Sequence, residues 1–352
     1  MDTEARQLGS SIESVSGAIA EWAVTRHSEL DSSLPDRHGA NWRTEWIGEA
    51  RQVLAYLSQA LAVGRPEVVA HIVNWSGQAY AARGGDRGDL GVMLNCLRDT
   101  IRERLGEAVT QRAVDFLEFA AIELVRELPA PLPSFDVKTA DGRLVLRYLE
   151  CILQGRRLEA EQLVIDIARD GRAVPEIYDA VLQPAMVEIG RMWHQDEISI
   201  ADEHFATVVT ERALARLRDF FGERTPNGRS VITTAVAGEL HSVGVNMFSD
   251  LLEMDGWRVV ALGENMPTLE IIRSVYDQQV DLLAVSLTSF LHLNTVADLI
   301  ASIRQQADLV ALPVLVGGSP FKLIDDLWLT VGADGCACSA SDGVATANRL
   351  VG

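Results

Sequence analysis

The densest group of chemistry-bearing residues is Gly238-Glu239-Leu240-His241-Ser242-Val243-Gly244. A neutral imidazole can ligate a metal through one ring nitrogen while a carboxylate orients it through the other. His241 and Glu239 are suited to those two roles, and Gly244 would let the backbone come close to a bulky group. Ser286-Leu287-Thr288 follows Gly244 after 41 residues, and Gly317-Gly318 comes 28 residues after that. A second group lies upstream. Trp193-His194 and Glu203-His204 flank a turn-like stretch, with Trp193 and Glu203 ten positions apart. A large flat ring beside a carboxylate and an imidazole suits a lid over a polar heterocycle.

Elements must hold these residues in place. Beyond Ser230, short β-rich runs at 231–236, 258–262, 282–287 and 314–316 alternate with helical runs beginning near Val243, Leu269, Asn294 and Lys322. A weak fifth strand falls at 333–337. The alternation predicts an α/β domain: a doubly wound parallel sheet of flavodoxin or Rossmann type in the order 2-1-3-4-5. Such sheets bind ligands outside the carboxyl ends of their strands, where the loop after the first strand carries His241. Before it, helical runs at 139–154, 157–170, 174–193 and 200–221 predict an antiparallel four-helix-bundle cap, with Pro184 kinking the third helix. The first 128 residues read as helical throughout, as in the run Ile47, Ala50, Val53, Leu54, Leu57 and Leu61. Proline-rich 129–133 and the turn at 225–228 separate three domains, expected at 1–134, 135–224 and 228–352.

Composition narrows the function. The chain has 352 residues, 48% of them hydrophobic, and a formal net charge of −19. A surface so acidic is repelled by a phosphate backbone, so no direct nucleic-acid partner is expected. No apolar run is long enough to cross a membrane, and the N-terminus lacks a signal-peptide pattern, which together predict a cytoplasmic protein without a membrane partner. The four cysteines are scattered and suggest no disulfide framework.

The three blocks on the sheet domain resemble the cobalamin-binding domain of methionine synthase, of the methylmalonyl-CoA mutase group and of the B12-dependent photoreceptors. Those proteins carry Asp-x-His-x-x-Gly, Ser-x-Leu and Gly-Gly at closely similar spacing. Here Glu239 stands for the Asp and Thr288 for the Leu. The resemblance implies that His241 is the lower axial ligand to cobalt, with Ser242 and Gly244 in the cofactor loop. It also implies that the nucleotide tail inserts beside Ser286, Thr288, Gly317 and Gly318. The Trp193, Glu203 and His204 pattern resembles the cap of the CarH/LitR class of light sensors, without the MerR-type domain of that class. There the cap encloses the adenosyl group of adenosylcobalamin, and His194 occupies the position that binds cobalt after photolysis. The whole arrangement looks like a photocobilin, which adds biliverdin as a second chromophore. On that resemblance residues 1–128 would hold a bilin, drawing on their Trp22, His27, Trp42, Trp46 and Tyr80 and, above all, on His71, Trp75 and Arg83.

The leading expectation is therefore an adenosylcobalamin light sensor without enzymatic turnover, acting as a homo-oligomer on a downstream signalling protein. The alternative is a corrinoid protein that carries methyl groups between methyltransferases. The two differ at the upper face of the cofactor, which a methyl carrier must open to its partners.

Overall fold

Apolar residues at helical spacing fold the first part of the chain into helices Thr3–Leu30, Leu34–His38, Trp42–Val63, Glu67–Ala82, Arg87–Arg104 and Glu107–Leu124. Ile12, Ile19, Leu54, Leu57, Leu61, Leu97 and Ile101 line their inner faces and are fully buried. The computed structural model describes residues 3–126 and 132–352, so most of the proline-rich linker expected at 129–133 lies outside the described residues. The chain divides into two compact units, Met1–Pro129 and Ala130–Gly352. The cap and the sheet belong to the second.

The cap begins with Ala140–Leu153, whose first turn is closed by Thr139 accepting from the Gly142 amide. Arg157–Arg169 follows. The third helix runs from Val174 to His194, and its middle turn, Tyr178–Leu182, is widened into a π turn just before Pro184. Proline removes one backbone donor, and a π turn accommodates that loss without breaking the helix. The expected kink is thus absorbed as a local change of helix type. The fourth helix, Ile200–Leu217, opens with a Ser199–Asp202 capping box that sets Glu203 in its first turn.

The sheet contains β1 (Ser230–Val236), β2 (Arg258–Met266), β3 (Leu282–Ser286), β4 (Val314–Gly317) and β5 (Gly335–Ala337). All neighbours are parallel, in the order β2-β1-β3-β4-β5. Every residue of β1 is buried, as expected for a central strand with helices on both faces. The strand order reverses between β1 and β3, so the loops that leave them diverge and open a crevice. Glu239 and His241 follow β1, Thr288 follows β3, and Gly317-Gly318 ends β4. The topology gathers all three sequence blocks at one end of the sheet.

Cap and sheet share a core. Met247 and Leu251, on helix Val243–Met254, pack in one cluster with Tyr148, Tyr178 and Ile189 of the cap. A polar contact lies within this apolar seam: the Tyr178 hydroxyl donates to Asp250 at 2.7 Å, and Arg218 pairs with the same carboxylate. A buried hydrogen bond to a charged acceptor is worth more than a neutral one. Tyr178→Phe should destabilise the second unit by about 1–2 kcal/mol, read as a lower urea midpoint by far-ultraviolet circular dichroism. An unchanged midpoint would remove this contact from the seam.

Candidate functional site

The site is built from the β1 loop outward. Gly238 adopts φ +87°, and a Cβ there would lie 2.6 Å from the His292 ring. Only glycine allows both the conformation and the close approach. The Gly238 amide donates to the Asn265 side chain at 2.8 Å, and the Asn265 amide donates back to the Glu239 carbonyl at 2.9 Å. The end of β2 thereby fixes the loop that follows β1.

Glu239 is 1% exposed. Its Oε2 accepts the amides of Thr288 at 2.7 Å and Ser289 at 2.9 Å. Its Oε1 accepts the His241 amide at 3.2 Å and lies 2.5 Å from His241 Nδ1. Burial by itself would push the Glu239 carboxyl up, but the bonds from His241, Ser289 and Thr288 outweigh it and bring it down to about 2. The hydrogen bond to Glu239 raises the His241 pKa against the opposing effect of burial, and the charges of Glu239 and Glu203 add to the rise. The imidazole side chain is 61% exposed. With Nδ1 engaged by Glu239, Nε2 is the ring nitrogen left to meet a ligand.

Beside this loop a cavity of about 170 Å³ runs into the sheet. Gly244, Ser286, Gly317 and Gly318 line it, together with Phe248 and Ala337. Gly318 has φ +109°, and a Cβ would sit 1.9 Å from the Leu287 carbonyl oxygen; the Leu287 amide donates to Gly317 at 2.9 Å. The strand ends are thus drawn together along backbone that only glycine permits. A Cβ on Gly244 would meet no protein atom within 4 Å, so its bare backbone faces open space. Thr288 is not among the cavity-lining residues. It acts through its amide on Glu239, which any residue type except proline could supply, so its departure from the Ser-x-Leu pattern leaves this contact intact. Ser242 donates to Glu211 of the cap at 2.5 Å.

The cap residues differ in exposure and partners. His194 is buried, and its Nδ1 lies 3.3 Å from the Gln195 amide nitrogen. Trp193 is half-buried. Glu203 contacts His204 Nδ1 at 2.7 Å and the Thr207 hydroxyl at 3.3 Å. His204 itself is exposed. The charge of Glu203 acts on His241.

Asn265, Glu211 and His292 are functional neighbours that the sequence reading misses. The position of His292, six residues beyond Ser286 in a loop at the binding end, was an available signal. Burial lowers its pKa, partly offset by the Glu239 charge. Asn265 and Glu211 are brought in by β2 and by the cap, and no local pattern marks them.

In the first unit, Trp75 and Arg83 line a cavity of about 590 Å³, and His71 does not. Arg83 donates Nη1 to the Ala79 carbonyl of its own helix at 2.9 Å. Glu45, Glu49, Asp86 and Asp89 also line this space. Of the three residues expected to hold a bilin, Trp75 and Arg83 thus border one cavity, where these carboxylates oppose a ligand with two propionates.

Residues 144–218 match a B12 binding domain model, and residues 229–347 match a second. The first match covers the cap and the second covers the sheet. The chain therefore carries B12-binding domains made of a helical cap and a Rossmann-like sheet, and its cofactor is a corrinoid. It is 25% identical over 204 residues to a corrinoid protein of Desulfitobacterium hafniense, covering 54% of this chain and 92% of that one. It is 22% identical over 179 residues to dimethylamine corrinoid protein 1 of Methanosarcina acetivorans, covering 50% and 83%. The structure of the Methanosarcina barkeri monomethylamine corrinoid protein superposes with a TM-score of 0.54 at 18% identity, covering 60% of this chain and all of that one.

These relatives overturn the expectation of a light sensor. They are corrinoid proteins, several of them named for methylamines, and the photolysis and biliverdin roles fall with that expectation. The physical reason lies in the cap motif. A tryptophan and a glutamate on either side of a helix–helix turn describe the rim of a bundle. They do not specify the group beneath it.

The Glu239–His241 pair makes stability pH-dependent from both sides. The depressed Glu239 pKa gives stabilisation that is present above its ordinary value of 4.5 and lost as pH falls through about 2. The raised His241 pKa gives stabilisation that is full below 6.5 and lost as pH rises through the higher folded value. In cofactor-free protein, the difference in melting temperature between wild type and Glu239→Gln should be largest between about pH 4.5 and 6.5 and shrink on both flanks. A difference that does not vary with pH would contradict the ion pair.

Proposed function

We propose that this chain is a corrinoid protein that carries methyl groups between methyltransferases, a carrier without turnover of its own. Similarity of the cap and sheet to corrinoid proteins, two of them named for methylamines, is the observation that carries the reading. Among the described residues, no group of three or more His, Cys, Asp and Glu could hold a metal ion. A corrin would bring its own nitrogen donors, so one imidazole at the end of the sheet is a donor set that fits it. The open backbone at Gly244 and the cavity at Ser286, Gly317 and Gly318 suit the nucleotide tail.

A bound corrinoid supplies a cobalt centre that accepts a methyl group from one partner and yields it to another. His241 would hold cobalt through Nε2. Glu239 would hold the Nδ1 proton, and the Thr288 and Ser289 amides keep that carboxylate from following the ring if it moves. Trp193, His194 and Glu203 would border the bound cofactor and exclude water while the carrier is between partners. To admit a partner the cap must tilt, and the Ser242–Glu211 hydrogen bond beside His241 is a contact that such a tilt would stretch. The division of labour is then sensory or interacting for 1–134, cap for 135–224 and cofactor binding for 228–352.

Protein loaded with methylcobalamin should give up its methyl group to a methylcobalamin:thiol methyltransferase and its thiol, followed by absorption. If the methyl stays on the protein under conditions that consume free methylcobalamin, the carrier reading fails.

A further inference from the structure

The first unit contains a site that neither B12 domain accounts for. We propose that its cavity binds an organic ammonium ion with N–H protons and an apolar or aromatic body. At about 590 Å³ the space is within the range of small-molecule sites. Trp46, Trp75 and Tyr80 supply aromatic walls. The Trp46 ring is locked edge-on against His38 at 5.4 Å and Tyr80 at 5.9 Å, and the Tyr80 hydroxyl lies 2.8 Å from the His38 ring nitrogens. A rigid aromatic wall attracts a cation through the ring face.

Charge selects the same class. Arg37 is bound by Asp31 at 2.6 Å and Asp89 at 2.7 Å, and Asp89 also contacts His38 at 2.9 Å. That cluster sets two carboxylates against one guanidinium. What remains around the cavity is Glu45, Glu49 and Asp86 against Arg83, an excess of negative charge.

A buried carboxylate calls for a further donor. Ser76 is 6% exposed, and its hydroxyl lies close enough to Glu49 to hold that carboxyl down by a hydrogen bond. Glu49 Oε1 is shut off from solvent. Both residues line the cavity. A buried acceptor without a donor is costly. A quaternary ammonium would bring charge without N–H, whereas a protonated amine would also donate to the Glu49 carboxylate. Burial raises the Glu49 carboxyl against the Ser76 hydrogen bond, and a bound cation would offset that cost of charge.

The inference stands apart from the methyl-carrier reading and is tested on the full chain, with corrinoid absorption recorded as an independent control. Calorimetric titration uses phenethylammonium and tryptammonium, with phenylpropionate and phenethyltrimethylammonium as the anionic and quaternary counterparts. The amines should bind, phenylpropionate should give no heat, and the quaternary ion should bind about 10-fold more weakly or worse. Glu49→Gln should weaken amine binding about 10- to 100-fold with unchanged circular dichroism. Should that variant misfold, Trp75→Ala takes its place and should weaken both amines. The proposal is overturned if neither amine binds, if the anion or the quaternary ion binds as tightly, or if the folded variant binds as wild type does.

Discussion

The Glu239 carboxylate is almost wholly withdrawn from solvent, yet it receives four donors from two strand ends. An isolated carboxylate in such surroundings would protonate. Here the amides after β3 and the imidazole after β1 keep it charged. The arrangement is possible because β1 and β3 are neighbours, and because Gly238 and Gly318 let backbone and rings approach where a Cβ would collide. His241 is thereby held in one tautomer by a group that is itself fixed to the sheet. A ligand imidazole whose second nitrogen is anchored in this way loses little freedom on binding a metal.

The cap depends on the same region. Helix Val243–Met254 leaves the His241 loop and supplies Met247 and Leu251 to the cap core. Asp250 on that helix takes the Tyr178 hydroxyl from the π turn of the cap. Ser242, at the head of the helix, reaches Glu211. One element therefore connects the cofactor loop to the cap, and a displacement of the cap is felt next to His241. For a carrier that must both shelter and present its cofactor, that connection is a useful property of the fold.

Much of this was legible in the sequence. The period change at Ser230 gave the parallel sheet and its strand order, and three short blocks at fixed spacing pointed to one end of it. Glu239 and His241 were readable because both sit in one loop. Asn265, Glu211 and His292 were not, since each arrives from a different element. The light-sensing role was misread for another reason. Trp193, His194, Glu203 and His204 are close in sequence across one turn, but His194 is buried and His204 is exposed. Proximity in sequence did not determine which of them face a ligand. In the first unit, Trp46, Glu49, Ser76 and Tyr80 come from two helices, and helical periodicity alone does not bring them together.

The central claim is that His241, oriented by Glu239, binds cobalt in place of the nucleotide base. Electron paramagnetic resonance of the protein loaded with cob(II)alamin tests it most directly, because the unpaired electron couples to the axial nitrogen. In protein grown on histidine enriched in the heavy nitrogen isotope at its ring, the superhyperfine triplets should become doublets, and in His241→Ala the histidine-dependent splitting should vanish. Triplets that persist with labelled histidine, and change only when the nucleotide base of the cofactor is labelled, would contradict the account.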